Sequence, residues 1–74
     1  MCERKRRAVM LEYRASDAKA LGRYHVADSY SLAALAVLRG DDVGAVVWEQ
    51  AAVGEEHLLL AKEEAEVVLD AVAA

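Results

Sequence analysis

The feature that most constrains this chain is the segment Arg39–Gly40–Asp41–Asp42, which separates two long stretches rich in helix-forming residues. A glycine that follows a basic residue commonly ends a helix, because it adopts the left-handed conformation that closes the last carbonyls. An aspartate just after it favours a new helix, since its carboxylate accepts hydrogen bonds from the free amides. So short a connection makes neighbouring helices run antiparallel. The sequence therefore predicts a helical hairpin that turns at Gly40.

Helix is predicted nearly throughout the 74 residues. Ala, Val and Leu make up nearly half of the chain, and proline, the strongest helix breaker, is absent. We predict a single all-α domain over residues 1–74, with a basic N-terminal segment over 1–15, helix one over 17–39 and helix two over 42–73. A break near Ala15–Asp17 gives a short extra N-terminal helix, and a continuous helix is the alternative.

Helix two carries apolar residues in alternating steps of three and four, which is typical of a face packed on a neighbouring helix. This predicted seam comprises Gly44, Val47, Ala51, Gly54, Leu58, Ala61, Ala65, Val68 and Val72. An acidic row repeats every seven residues and is predicted to face solvent. The acidic row comprises Glu49, Glu56, Glu63 and Asp70.

A second apolar row also repeats every seven residues and lies beside the predicted seam: Val46, Val53, Leu60 and Val67. One neighbouring helix cannot cover both, and soluble monomers rarely expose so large an apolar patch. We therefore predict a homodimer that forms a four-helix bundle, or contact with another protein. The predicted interface residues are Val46, Trp48, Gln50, Val53, His57, Leu60, Glu64 and Val67. Within that set, the polar residues Gln50, His57 and Glu64 either set partner specificity or simply face solvent.

Charge is divided unevenly along the chain. Residues 1–40 carry eight Lys/Arg and four Asp/Glu, net +4, whereas residues 41–74 carry one Lys and nine Asp/Glu, net −8. This favours contact between the two halves, within one chain or between chains. Four consecutive cations, Arg4, Lys5, Arg6 and Arg7, are predicted to extend beyond helix two, where nothing neutralises them. They are candidates for contact with nucleic-acid phosphates, so a nucleic-acid-binding regulator that dimerises through the hairpin is an alternative function.

His25 and His57 lie at the same level of the predicted hairpin. Imidazoles on facing helices are one way in which bundles bind metals, so a metal-binding bundle is a further alternative. The Glu-x-x-His spacing of di-iron bundles does not occur, since Glu56 and His57 are adjacent. No catalytic or cofactor-binding residue is predicted, because the chain has no glycine-rich phosphate loop and its one cysteine, Cys2, has no nearby histidine.

Targeting and membrane segments are not predicted either. The longest uncharged apolar run, Leu32–Leu38, is far shorter than the ~20 residues that a helix needs to cross a bilayer. The expectation is a cytoplasmic protein.

Residues 32–53 resemble one tetratricopeptide-type helix-turn-helix repeat. The resemblance rests on Leu32, Ala33, Ala36, Gly40, Asp41, Ala45, Trp48 and Ala52. It implies closely packed paired helices and a role in peptide binding, and such arrays need about three repeats where this chain has one. The stretch with Gly40, Asp41, Ala45, Trp48, Gln50 and Ala51 also resembles the core helix of HEPN-type helical proteins, some of which cleave RNA. Their Arg and His signature has no counterpart here, so no site is carried over.

Together these patterns favour a small non-enzymatic protein–protein interaction or regulatory module, such as an adaptor, an inhibitor or a small subunit. It would act through its apolar helix faces.

Overall fold

A computed structural model describes the backbone of residues 2–73 and the side chains from Cys2 to Leu69. This part of the chain forms three α-helices and no strand: α1 (Glu3–Ala20), α2 (Tyr24–Leu38) and α3 (Asp42–Ala73). The predicted all-α class is confirmed. Asp70 and Val72, the last members of the acidic row and the predicted seam, lie outside the described side chains.

The turn between α2 and α3 is the one that the sequence predicts. Gly40 has φ +81°, and the next amide, that of Asp41, donates to the Ala36 carbonyl at 2.9 Å. The Asp41 carboxylate then accepts a hydrogen bond from the Gly44 amide at 2.9 Å. Gly40 thus ends α2 and Asp41 caps α3, as the pattern of Gly followed by Asp indicates.

The prediction of a single helix one over 17–39 is wrong, and so is the break near Ala15–Asp17. The chain instead turns at Gly22, which has φ +77°. The Arg23 amide donates to the Ala18 carbonyl at 2.8 Å and the Gly22 amide to the Lys19 carbonyl at 3.0 Å, as at the Gly40 turn. The basic segment over 1–15 is therefore mostly part of α1, which runs unbroken to Ala20 and folds back on α2.

The shortest helix, α2, packs against both others. Within residues 2–73 close backbone approach occurs between α1 and α2 and between α2 and α3, and not between α1 and α3. Most core positions are alanines, which let helix axes come close. The buried apolar residues are Ala8, Leu11, Ala15, Ala18, Val26, Ala27, Tyr30, Ala33, Ala34, Ala36, Val37, Ala45 and Ala52. Residues 2–73 of one chain form three helices, and the assembly of two chains around a four-helix bundle stays a prediction.

The predicted seam of α3 is displaced around the helix. Ala45 and Ala52 are fully buried, with Val53 and Leu59 packed beside them. Members of the predicted seam lie outside instead: Val47 is 57% exposed and Leu58 is 72% exposed. Adjacent residues diverge by about 100° on a helix, so α3 is turned by roughly one residue from the predicted face.

The part of α3 that follows Leu59 has no helix of its own chain packed against it. The helix has 32 residues and α2 has 15, and the far end of the α2–α3 contact is marked by a hollow that Tyr24 and Leu59 both line. Every side chain from Leu60 to Leu69 is exposed. We call this segment, Leu60–Leu69, the α3 overhang. Because of it the molecule is elongated, with a longest dimension of 53 Å.

Candidate interaction surface

A groove runs between α1 and α3, with α2 as its floor. It contains a hollow of about 390 Å³ lined by Arg14, Asp17, Ala18, Leu21, Arg23, Tyr30, Val53 and Glu56. The groove exists because both outer helices pack on α2 without touching each other's backbone. We call it the α1–α3 groove.

Ion pairs cross this groove between the outer helices. Arg7 lies 3.1 Å from Glu49, and Arg4 lies 3.2 Å from Asp42. At the opposite end Arg23, at the start of α2, lies 3.2 Å from Glu63.

Glu49 and Glu56 of the acidic row therefore face the groove rather than open solvent, which corrects the prediction of a solvated acidic face at these two positions, whereas Glu63 is exposed. The reason is that α1 brings arginines beside α3. Arg7 and Arg14 share the seven-residue spacing of Glu49 and Glu56, and this was the signal in the sequence for the pairing.

Tyr30 is the polar centre of the groove floor. It is only 2% exposed, and the Arg14 guanidinium lies 5.9 Å from the centre of its ring, within the range of a cation–π contact. Burial raises the pKa of the Tyr30 hydroxyl above 10.0, the nearby Glu56 carboxylate raises it further, and Arg14 opposes both effects. This constellation was not predicted, because it depends on α1 folding back over α2.

Two members of the second apolar row, Val46 and Val53, lie along the α3 side of the groove. Val53 lines the 390 Å³ hollow, and with Val46 it also lines an adjoining hollow that includes Gln50. Leu60 is 44% exposed and Val67 is 67% exposed, although both are large apolar side chains. We call Val46, Val53, Leu60 and Val67 the apolar row.

The other predicted interface residues divide into two groups. Gln50, His57 and Glu64 are exposed next to the apolar row. Trp48 is 39% exposed, but it projects about 140° away from Val53 around the helix, taking 100° for each residue. Seven of the eight predicted residues thus share one side of α3, and Trp48 belongs to the other.

The hairpin geometry predicted that the basic cluster extends beyond the rest of the fold, and this prediction is wrong. Because α1 folds back at Gly22, Arg4 lies beside the turn between α2 and α3. Its guanidinium donates to the Val37 carbonyl at 2.8 Å in addition to pairing with Asp42. Two of the four cations, Arg4 and Arg7, thus bind groups of their own chain, and Lys5 and Arg6 are exposed.

The two histidines are both surface residues. Both are exposed, and His25 lines a hollow at the start of α2 together with Leu59 and Glu63. Among the described residues, no group of three or more His, Cys, Asp or Glu side chains is placed to hold a metal ion.

A second hollow, of about 560 Å³, lies on the far side of α1 and was not predicted. It is lined by Lys5, Ala8, Val9, Glu12, Tyr13, Ser16 and Leu38. Val9 and Tyr13 are four residues apart and so share a helix face, which is the signal that the sequence offered for it.

In the described part of the chain, none of the three helices combines the length and the apolar character that a membrane crossing requires. Comparison of the sequence with known protein families, with curated proteins and with solved structures finds no match.

Proposed function

We propose that this chain is a small non-enzymatic interaction module that assembles through the apolar row, and that it forms at least a homodimer. The observation that carries the proposal is the α3 overhang, a helical segment that exposes Leu60 and Val67 of the apolar row.

The energetics of helices support this proposal. A helical segment in a protein owes most of its stability to packing of an apolar face, and isolated helices shorter than ~12–15 residues are marginal in water. The overhang has no such packing from its own chain. Apolar area removed from water contributes about 25 cal/mol per Å², so covering the exposed leucines and valines stabilises both the helix and the assembly.

The alternative functions have less support. A nucleic-acid interface built on Arg4, Lys5, Arg6 and Arg7 would have to compete with Asp42 and Glu49, which already pair with two of these cations. A metal site shared by His25 and His57 would have to draw together two exposed side chains.

The test compares Leu60→Glu with the matched control Leu58→Glu. Both substitutions place a carboxylate at an exposed leucine of α3, but the two positions are about 160° apart around the helix. Light scattering measures the mass of each protein, and circular dichroism checks that the helices remain folded.

The proposal predicts a wild type heavier than one chain, a lighter Leu60→Glu variant and an unchanged Leu58→Glu variant. The proposal is contradicted if the wild type has the mass of one chain and the Leu60→Glu variant is folded and has the same mass. For the nucleic-acid alternative, the corresponding result is duplex binding that weakens steeply as salt rises.

A further inference from the structure

We infer that the occupant of the α1–α3 groove is the α3 overhang of a second copy of this chain, with the two α3 helices antiparallel about a twofold axis near Glu56 and His57. This inference rests on the proposed function and adds the identity of the partner segment and its orientation. Three observations support it: the spacing of the apolar row, the distribution of charge and the length of α3.

The spacing of the apolar row suits an antiparallel pair. When two α3 helices cross with Val53 opposite Leu60 of the second copy, Val46 lies opposite Val67, because the four residues are evenly spaced. The whole row then meets itself in one register. A twofold interface of this kind presents the same surface on both copies and closes without leaving a free end.

The charges of the two surfaces are opposite in this arrangement. Helix α1 carries six Lys/Arg and three Asp/Glu, net +3, whereas the overhang carries one lysine and three glutamates, net −2. The register that aligns the apolar row places Glu64 level with Glu49 of the second copy. Glu49 pairs with Arg7, so Glu64 arrives beside the basic start of α1, where Arg6 is exposed.

The length of α3 selects the same orientation. The overhang begins level with Tyr24, the first residue of α2, so an antiparallel copy places its own α1 and α2 beside the overhang and covers it. A parallel pair would set one acidic overhang against the other, and like charges brought together oppose association.

The first experiment exchanges the charges. Arg6→Glu and Glu64→Arg should each weaken the dimer about tenfold, because each places like charges together, and the double variant should recover most of the affinity. The control is Glu66→Arg, which makes the same change in the overhang but projects about 160° away from Glu64 around the helix. Sedimentation equilibrium measures the dissociation constant of each protein.

The second experiment tests the orientation, in a Cys2→Ser background that removes the native thiol. His57→Cys lies near the proposed twofold axis, so a short bismaleimide should join two copies. In the proposed register Val67 lies opposite Val46 of the second copy, so two Val67→Cys thiols are separated by 21 residues of helix. This is about 30 Å at 1.5 Å per residue, and the reagent should not join them.

The outcomes separate this inference from the proposed function. A wild type with the mass of one chain at every concentration overturns both. A dimer in which the Arg6 and Glu64 variants do not compensate, or in which Val67→Cys cross-links as readily as His57→Cys, overturns the inference and leaves the proposed function standing. Compensation together with cross-linking at His57→Cys alone supports it.

Discussion

The Arg7 guanidinium lies 3.1 Å from the Glu49 carboxylate, and this ion pair connects two helices whose backbones do not approach each other. Both side chains are partly exposed, at 40% and 32%. The two outer helices of the fold are thus related through side chains that cross a groove, not through a packed seam.

We expect the Arg7–Glu49 pair to contribute little to the stability of a single chain. A partly exposed ion pair is worth about 0.2–1 kcal/mol, because water screens it and both side chains lose freedom. A double-mutant cycle of Arg7→Ala and Glu49→Ala, followed by urea unfolding, should give a coupling free energy in that range. It should fall as salt increases, and a salt-independent value above that range would contradict this account.

The two substitutions Gly22→Ala and Gly54→Ala should have opposite effects on stability. A methyl group meets nothing within 4 Å at either position, so the backbone alone decides the sign. Gly22 has φ +77°, where an L-residue costs about 1–2 kcal/mol. Gly54 lies inside α3, where alanine is favoured over glycine by roughly 1 kcal/mol.

Thermal unfolding of the two glycine variants gives the comparison directly. The midpoint should fall for Gly22→Ala and rise for Gly54→Ala. A neutral Gly22→Ala would mean that the chain does not turn at this residue.

The position of the packed face of α3 can be tested with two neighbouring alanines. Ala52 is fully buried, so Ala52→Leu should overpack the contact with α2 and lower the free energy of unfolding by about 1–3 kcal/mol. Ala51 is exposed, and Ala51→Leu should change it by less than about 0.5 kcal/mol. A larger loss of stability for Ala51→Leu than for Ala52→Leu would contradict this account and support the predicted seam, which contains Ala51.

The sequence specified the turn at Gly40 better than the one at Gly22, although both have the same hydrogen bonds. Asp41 made the difference, because a capping residue after the glycine signals both the end of one helix and the start of the next. Arg23 offers no side-chain cap to α2, so no capping signal follows Gly22. A basic residue, Lys19, does precede it, and it was the available signal.

Other errors follow from that missed turn. The predicted hairpin has no third helix beside α3, so it offers no cationic partners for Glu49 and Glu56. The predicted seam of α3 therefore lies on a face that excludes these two glutamates. The four residues of the apolar row lie on one helix, α3, as the sequence predicts, because their spacing depends on a single helix. The Tyr30 constellation needs residues from all three helices, so no local pattern could specify it.

Tyr30 should make the stability of the fold sensitive to alkaline pH. Its pKa is raised in the folded chain above the ordinary value of 10.0, so the unfolded chain loses the proton first. The stabilising contribution is therefore present below pH 10 and is lost as the pH rises through the folded pKa. Urea unfolding from pH 8 to 11 should show a steeper loss of stability in the wild type than in Tyr30→Phe.

Tyr13 is the matched control for this pH dependence, because it is 65% exposed. The Tyr13→Phe variant should keep the alkaline dependence of the wild type. Equal pH profiles for the wild type and Tyr30→Phe would show that burial of the Tyr30 hydroxyl has no effect on its ionisation.

The central claim is that α3 presents more apolar surface than its own chain covers, and the mass of the wild type in solution tests it most directly. Sedimentation equilibrium over a wide range of concentrations should give a mass that approaches at least twice the 8.0 kDa of one chain. A folded protein that stays at 8.0 kDa throughout, with α3 helical to its end, would show that the overhang is stable without a second copy.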